Sequence, residues 1–477
     1  MDVACFGASF GESHFGSCLL GDARRTRRLV KTADLIMKHP GGTLPDKLLG
    51  NWADLMGLYR LAAAEQVTHQ AVIAGHCRRT LELAAACADV VLLLHDSTDL
   101  DYTQLLALDD QVGQIGNGGG RGYVCHNTLA VTPEREVIGL ASQILHRRRD
   151  VPKGETAAHK RDHPDRESLL WPAGCAAAGP VPAGKLWVDV SDRGADTFEY
   201  LDFEHRQGRK HVTRSAKDRK LAGDEADHLG VDRVHQTLHA YTRDLPTLGE
   251  RTLAVPRQQQ GRRNAARASR TARVRIAAGP VSIKVPHFAR GHCQSESLDL
   301  WVVHVREVDP PPPGQEPLEW ILLTNVAVRS FADACERIDW YACRPVIEEF
   351  HKGIKSGCGI EDLQFEYADR LEPVIALLSV VATELLRLRE LARGPDADRS
   401  PATSIIDPLW VKVLSVWRYR QQPQRPDLSV REFAMALGRL GGHLGRKGDG
   451  FPGWLTMWRG WQKLRLMVEG ARAVNCV

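Results

Sequence analysis

Short apolar runs mark the middle of the chain and predict buried strands. The run Val90–Leu94 contains only valine and leucine and continues into His95 and Asp96, the pattern of a strand whose end carries a carboxylate. A second carboxylate, Asp192, follows the run Lys185–Val190. Helical patterns beginning near residue 167 and residue 197 separate the later strands, so the order predicts an α/β sheet. The remaining predicted strands of this sheet are Tyr123–Val131, Val137–His146 and His211–Arg214.

Helical periodicity dominates the start of the chain. Residues 21–40 predict a basic amphipathic helix that ends near Pro40, and Trp52–Ala64 predicts a second helix after a glycine-rich turn. Residues 68–87 predict a third. Two or three short helices with an arginine-rich start are typical of a small DNA-binding domain, and an N-terminal helical cap is the alternative.

Helical periodicity returns towards the other end. It resumes at Phe331 and leads to Glu348, and Val374–Leu391 predicts a further, strongly apolar helix. A hydrophilic linker follows at Arg393–Pro408. The tryptophan-rich tail, residues 409–477, therefore reads as a separate small helical domain.

The segment before Phe331 has the alternating pattern of strands and no helical periodicity. Alternating residues at Thr271–Val285 and Leu298–Val308, and the apolar run Leu318–Thr324, predict strands, and prolines at 310–313 interrupt them. We therefore predict a β-rich insertion within the α/β fold.

One helical stretch brings four polar side chains together. Tyr341, Arg344, Glu348 and Lys355 stand at offsets that fall within an arc of about 60° on a helical wheel. A phenol, a guanidinium, a carboxylate and an ammonium on one face suit a phosphate group and a divalent metal. A solvated amphipathic face is the alternative interpretation.

Charge distribution points more clearly to a partner than net charge does. The 477-residue chain has a net charge of only +4. However, residues 206–220 hold seven Lys or Arg against the single acid Asp218, and residues 257–275 hold seven Arg and no acid. Separated basic patches favour a long polyanion contacted at several places, although each patch alone could be a solvated loop. A third patch comprises Arg24, Arg25, Arg27, Arg28 and Lys31.

Several classes of protein are excluded. The eleven cysteines form no CxxC pair, so we expect reduced thiols and neither disulfides nor a zinc site. Charged residues at 384, 387, 389 and 390 interrupt the most apolar helix, so no membrane partner is expected. No signal peptide is recognisable at the start. The glycine-rich loop 113–122 lacks the GK[ST] of a phosphate-binding loop and is predicted to be a hairpin turn.

Three carboxylates stand at positions that the predicted fold can bring together. Asp96 and Asp192 follow neighbouring strands of what would be a ribonuclease-H-like sheet, and Glu348 lies on a helix. Three converging carboxylates bind two Mg²⁺ or Mn²⁺ ions, which prefer oxygen ligands and promote phosphoryl transfer. Carboxylates after strands also cap helices, which is the alternative role.

The chain resembles a known family in five motifs that occur in the family's order. The most specific is the spacing Y-(2)-R-(3)-E-(6)-K, met by Tyr341, Arg344, Glu348 and Lys355. Asp96 lies in HDSTDLDY before the loop GQIGNGGGRGYVCHN, and Asp192 lies in SDRGAD; the start GDARRTRRL and the tail LGGHLGRKGDGFPGWLTMWRGWQKL complete the set. The chain from about residue 21 to residue 470 thus resembles DDE transposases of the insertion-sequence-4 family, of the transposon-5 transposase type.

The resemblance implies roles for individual residues. Asp96, Asp192 and Glu348 would hold two Mg²⁺ or Mn²⁺ ions per active site, and Tyr341, Arg344 and Lys355 would hold the phosphate backbone beside the cut. Arg214 in VTRS would contact phosphate, and Trp320 in EWILLT would stack on a flipped base; a tryptophan in the sheet core is the alternative for Trp320. The arginines that would bind the DNA ends are Arg24, Arg25, Arg27 and Arg28.

The resemblance also implies a domain plan and a place in the cell. The protein would bind double-stranded DNA as a homodimer in the bacterial cytoplasm, associated with the nucleoid when bound. The implied domains are an N-terminal helical DNA-binding domain (1–70), the two parts of a ribonuclease-H-like catalytic core (71–214 and 326–395), the β-rich insertion (215–325) and a C-terminal helical dimerisation domain (409–477).

One residue departs from the family pattern. Pro345 stands between Arg344 and Glu348, where the family usually has a bulky aromatic residue. Proline cannot donate a backbone hydrogen bond to the carbonyl of Tyr341 and disfavours helical geometry at Arg344. Either a helix begins at Pro345 or a longer helix kinks there, so the shared-face argument weakens for Tyr341 and Arg344.

The expected function is therefore cut-and-paste transposition. Binding of the element ends would precede metal-dependent nicking, hairpin formation and strand transfer into target DNA. Two alternatives remain open: a catalytically silent DNA-binding inhibitor or decayed copy, and a general ribonuclease-H-like nuclease without preference for end sequences.

Overall fold

The computed structural model describes residues 9–116, 119–152, 154–222, 237–255, 269–420, 427–446 and 449–475. The basic segment 257–268 therefore lies outside the described part of the chain. The strands are β1 Val91–Asp101, β2 Gly113–Ile115, β3 Gly120–Val131, β4 Val137–His146, β5 Trp187–Ser191, β6 Lys210–Arg214, β7 Thr247–Val255, β8 Arg270–Lys284, β9 Ser297–Glu307 and β10 Glu319–Thr324.

Fifteen helices are present among these residues. They are α1 Phe10–Phe15, α2 Ala23–Lys38, α3 Leu44–Lys47, α4 Trp52–Ala62, α5 His69–Ala86, α6 Ala157–Asp162, α7 Leu170–Ala177, α8 Phe198–Arg206, α9 Leu238–Asp244, α10 Phe331–Ala342, α11 Pro345–Lys352, α12 Ala368–Leu391, α13 Pro408–Arg418, α14 Val430–Leu440 and α15 Trp454–Asn475. The predicted mixed α/β class with helical regions at both ends is confirmed.

The chain forms two compact units. The smaller unit contains residues 89–96 and 154–344, and the larger unit contains residues 1–88, 97–153 and 345–477. Strand β1 belongs to both, because the chain passes from one unit to the other between Asp96 and Ser97. The five-part division predicted from the sequence remains a prediction.

The smaller unit is built on one mixed sheet. The first half of β1 runs parallel to β5, and β5 runs parallel to β6. Strand β10 joins β6 antiparallel, and β9, β8 and β7 continue the sheet as antiparallel neighbours. The strands predicted for the insertion are thus present, and they extend the same sheet that carries β5 and β6. Buried valines and isoleucines at alternate positions of β8 and β9 explain why these strands pack on one face.

The larger unit is mainly helical. Strands β2, β3 and β4 form antiparallel pairs, and the β2–β3 pairing from Gly113↔Gly122 to Ile115↔Gly120 confirms the predicted hairpin. Helix α12 is buried along most of its length, as its apolar sequence requires. The last three helices surround a core that contains Trp410, Leu437 and Leu464. Among the described residues, no helix has the length and apolarity needed to cross a bilayer.

The structure differs from the predicted elements in two details. Asp96 is predicted to end its strand, but β1 continues to Asp101, because it also pairs with β3; Tyr102 N, just beyond β1, donates to Arg121 O of β3. Helix α6 is absent from the predicted elements; it forms after the N-cap Thr156, whose side chain accepts a hydrogen bond from the backbone of His159.

The stretch Tyr341–Lys355 is not one helix. Helix α10 ends at Ala342, and a new helix begins at Pro345, the first of the two outcomes foreseen for that proline. Arg344 N donates to Tyr341 O at 3.0 Å and so supplies the bond that the proline nitrogen cannot make. Lys355 lies beyond α11, in a single π-helical turn at Gly353–Gly357. The helical-wheel argument for a shared face therefore fails.

Candidate active site

Asp96 and Asp192 stand side by side on neighbouring parallel strands. The last paired positions of β1 and β5 are His95 and Ser191, and the two aspartates come directly after them. Since side chains alternate across a sheet, both aspartates lie on the face opposite to His95. Asp192 Oδ1 also accepts a hydrogen bond from Gly194 N at 2.8 Å, so this carboxylate does cap a short 3₁₀ turn, as the alternative proposed.

The guanidinium of Arg344 bridges the two aspartates. Its Nη2 lies 3.1 Å from Asp96 Oδ2 and 3.4 Å from Asp192 Oδ2. The three side chains are largely enclosed, with 14% of Arg344, 14% of Asp96 and 31% of Asp192 exposed. Two carboxylates thus converge on one positive charge. Carboxylate oxygens directed at a shared cationic position are the donor set that Mg²⁺ and Mn²⁺ use.

Tyr341 and Trp320 form an aromatic pair beside this cluster. Their ring centroids are 5.1 Å apart in a T-shaped arrangement. Tyr341 is buried, which raises the pKa of its phenol, while the nearby Arg214 and Arg344 guanidinium groups oppose the shift. Trp320 is only partly buried, so the alternative role as a sheet-core residue is not supported by its exposure.

Arg214 lies against Tyr341 at the end of β6. Its Nη2 donates to Glu319 O at 3.0 Å, and burial lowers the pKa of the guanidinium, an effect that Tyr341 opposes. Five of the residues predicted from the sequence are therefore gathered around Arg344 within the smaller unit. They are Asp96, Asp192, Arg214, Trp320 and Tyr341.

Glu348 and Lys355 belong to the larger unit. Glu348 is exposed in the first turn of α11, whereas the adjacent Glu349 binds Lys352 at 2.7 Å and Arg389 at 3.2 Å. Lys355 Nζ lies 3.1 Å from Glu361 Oε1, and that carboxylate also accepts from Asp101 N at 2.9 Å. That these two residues meet Asp96 and Asp192 stays a prediction.

The four N-terminal arginines divide into two pairs. Arg24 and Arg27 are exposed on α2, and Arg24 pairs with Asp22 at 2.8 Å. Arg25 instead donates to Leu20 O at 2.9 Å, and Arg28 pairs with Asp54 of α4 at 2.7 Å. Arg28 therefore links α2 to α4, and Arg25 holds the start of α2 against the segment before it.

Two groups of residues near the aspartates were missed by sequence reasoning. A cavity in the smaller unit is lined by Arg193, His239, Arg243 and Glu319, whose side chains come from separate segments of the chain. A buried polar network also surrounds Asp189, and the only signal for it was a charged residue inside the apolar run of β5.

Comparison with known protein families identifies both ends of the chain. Residues 8–67 match the family described as transposase DNA-binding, and residues 385–476 match the transposase Tn5 dimerisation domain. The matched segments coincide with the basic N-terminal helices and with the helical tail. The chain is therefore a transposase similar to that of Tn5, and its partners are DNA and a second copy of itself.

Proposed function

We propose that this transposase moves DNA by a cut-and-paste reaction catalysed by Asp96, Asp192 and Glu348. The observation that carries the proposal is the convergence of Asp96 and Asp192 on the Arg344 guanidinium. Two carboxylates that share a cationic position, at the edge of a parallel strand pair, suit metal-dependent phosphoryl transfer.

The donor set fits divalent cations. Asp96 and Asp192 would hold two Mg²⁺ or Mn²⁺ ions together with Glu348, all through oxygen atoms. When bound, such ions lower the pKa of a water or hydroxyl and stabilise the leaving oxygen of an in-line displacement. The protein's own contribution is to orient the carboxylates: Gly194 N fixes one oxygen of Asp192, and Arg344 contacts the other.

Covalent geometry supports Glu348 as the third ligand. It stands four positions after Arg344, so their Cα atoms can be at most about 14 Å apart even in an extended chain. Glu348 is exposed in the first turn of α11, whereas only 23% of the Glu349 side chain is exposed. Of the two adjacent glutamates, Glu348 is thus the one suited to a ligand role.

The cationic and aromatic residues would position the DNA strand. Arg344 and Arg214 can neutralise the phosphates beside the cut, with Tyr341 and Lys355 as further contacts. The partly exposed indole of Trp320 offers a stacking surface for a base displaced from the duplex.

The proposed reaction uses one site for successive displacements at phosphorus. Water attack nicks one strand at the element end, and the freed 3′-hydroxyl attacks the opposite strand to form a hairpin. A second water opens the hairpin, and the 3′ ends then attack target DNA. No covalent bond to the protein is formed.

Cleavage of the element's own ends tests this function. We expect purified protein with Mg²⁺ to cut DNA carrying these ends and Glu348→Ala to lose cutting while retaining binding. Glu349→Gln is the matched control and should cut normally. Equal behaviour of wild type and Glu348→Ala contradicts the proposal. Binding without any cutting would favour the silent inhibitor, and cutting without end preference would favour a general nuclease.

A further inference from the structure

A buried polar network lies behind the two aspartates. His95 Nε2 is 2.7 Å from Asp189 Oδ1, and neither side chain has any exposed surface. Arg209 donates to both oxygens of Asp189, from Nε at 2.8 Å and from Nη2 at 3.0 Å. A third bond, from Arg209 Nη1 to Gly179 O at 2.7 Å, fixes the guanidinium itself. Strands β1 and β5 are thus linked by the His95–Asp189 side-chain bond as well as by backbone hydrogen bonds.

The pairing register of β1 and β5 places the His95–Asp189 bond directly behind the proposed metal ligands. Backbone pairing of β1 with β5 ends at His95↔Ser191, one residue before Asp96 and Asp192. Because side chains alternate, His95 and Asp189 occupy one face and the two aspartates the other. The His95–Asp189 bond is therefore a cross-strand link at the last paired position of β1, adjacent to the first ligand.

The surrounding groups complete the network without adding net charge. Cys175 Sγ lies 3.1 Å from Glu204 Oε1, and Tyr200 shares a 3.2 Å bond with Ser191. Burial raises the pKa of both Cys175 and Glu204, which favours their protonated forms. Asp189 and Arg209 are thus the charged pair, and they balance each other.

His95, Cys175 and Asp189 lie close enough together to resemble a metal site. The arrangement argues against that role. Both oxygens of Asp189 already accept from Arg209, and a metal ion would stand next to this guanidinium and be repelled by it. The charge balance is complete without a metal ion.

We propose that His95 and Asp189 are positioning residues that set the separation of Asp96 and Asp192. This inference rests on the proposed function, because it assumes that these aspartates are metal ligands. A two-metal site requires its carboxylates to be held within about 0.5 Å. The backbone pairing ends just before them, so the rigid side-chain link behind them fixes where the strand ends lie.

The test measures Mn²⁺ binding to the full chain by electron paramagnetic resonance. We expect His95→Ala to weaken Mn²⁺ binding by about 10- to 100-fold, as is usual for residues that orient metal ligands. His95→Gln should restore most of the affinity, because its amide can donate from the position of Nε2. If the alanine variant does not fold, His95→Leu keeps the volume and removes the bond.

Leu93→Ala is the matched control. Leu93 is buried on the same face of β1 and paired with Asp189, but it makes no such side-chain bond. It should lower the melting temperature and leave the Mn²⁺ affinity unchanged. Wild-type affinity in both His95→Ala and His95→Leu would overturn the proposal, as would a failure of glutamine to rescue. Stoichiometric zinc in purified protein that Cys175→Ser removes would also overturn it, because a metal would then occupy the network.

The two proposals fail in different ways. A wild-type protein that binds Mn²⁺ in a His95-dependent manner but never cuts end DNA contradicts the proposed function and leaves the positioning role standing. Normal cutting together with a metal requirement that His95 variants do not change contradicts the positioning role alone.

Discussion

Arg344 Nη2 lies 3.1 Å from Asp96 Oδ2, which puts a fixed positive charge against a carboxylate proposed to bind metal. The same nitrogen reaches Asp192 at 3.4 Å. If the two aspartates bind a cation as proposed, the guanidinium would compete with that cation for them and, once displaced, could contact a phosphate. Arg344 would thus link occupation of the metal site to engagement of the DNA strand.

The first prediction separates these two roles. Arg344→Ala should lower the Mg²⁺ concentration needed for half-maximal cleavage, because the competing charge is gone. Its rate at saturating Mg²⁺ should fall about 100-fold, because a phosphate contact is lost. Cleavage assays across a Mg²⁺ titration measure both quantities. Arg329→Ala, an exposed arginine of the same unit, is the control. A raised Mg²⁺ requirement in Arg344→Ala would refute the competition.

The second prediction concerns Trp320. Loss of a base-stacking surface costs about 1 to 3 kcal/mol, so Trp320→Ala should slow hairpin formation about tenfold or more and leave the first nick unchanged. Trp320→Phe should recover part of the rate. Denaturing gels that resolve nicked and hairpin products provide the measurement. If both steps slow equally and the melting temperature falls, Trp320 acts only by packing against Tyr341.

The third prediction divides the N-terminal arginines. Arg27→Ala should weaken DNA binding and reduce the salt dependence of log K by about 1, as expected for one phosphate contact. Arg28→Ala should instead lower the free energy of unfolding by about 1 kcal/mol, since it breaks a partly buried pair while Lys31 still neutralises Asp54. Mobility shifts at several salt concentrations and denaturant unfolding distinguish the two effects. Equal salt slopes for Arg27→Ala and wild type would remove Arg27 from the interface.

The fourth prediction is a loss of stability in mild acid. His14 Nδ1 and His76 Nδ1 are 2.8 Å apart, and His76 Nε2 accepts from Leu140 N at 3.0 Å. His76 must therefore donate from Nδ1, and neither ring can gain a proton without losing a bond. Burial accordingly lowers the pKa of His14 to about 4 and that of His76 well below its usual 6.5.

The direction in which stability changes with pH follows from proton binding by these two histidines. Between about pH 6.5 and pH 4 the unfolded chain binds more protons than the folded chain, so the free energy of unfolding falls as pH falls through this window. Above about pH 7.5 these two histidines contribute no pH dependence, because they are unprotonated in both states. Denaturant unfolding at pH 7.5, 6 and 5 measures the slope, and His76→Gln should make it shallower. An unchanged slope in His76→Gln would contradict the assignment.

Local sequence patterns predicted most of the secondary structure of this protein. The apolar runs located the strands of the central sheet, and helical periodicity located α2, α4, α5 and α12, because both depend on neighbours a few residues away. The positions of Asp96 and Asp192 directly after the paired part of two parallel strands followed from the same runs. The basic start and the tryptophan-rich tail indicated the two terminal modules that the family comparisons match.

Tertiary contacts determined the extent of β1 and the partners of the charged side chains. Pairing with β3 extends β1 beyond Asp96, and Asp54 withdraws Arg28 from the exposed face of α2. Tyr341 and Arg344 remain beside the aspartates although Pro345 divides the helix that was to hold them on one face. The tie between His95 and Asp189 joins residues 94 positions apart. Hydrophobic periodicity reports only local backbone geometry, so it cannot show which residue far away in the sequence pairs with a buried charge. The packed fold determines these pairs, because an unpaired buried polar group is unfavourable.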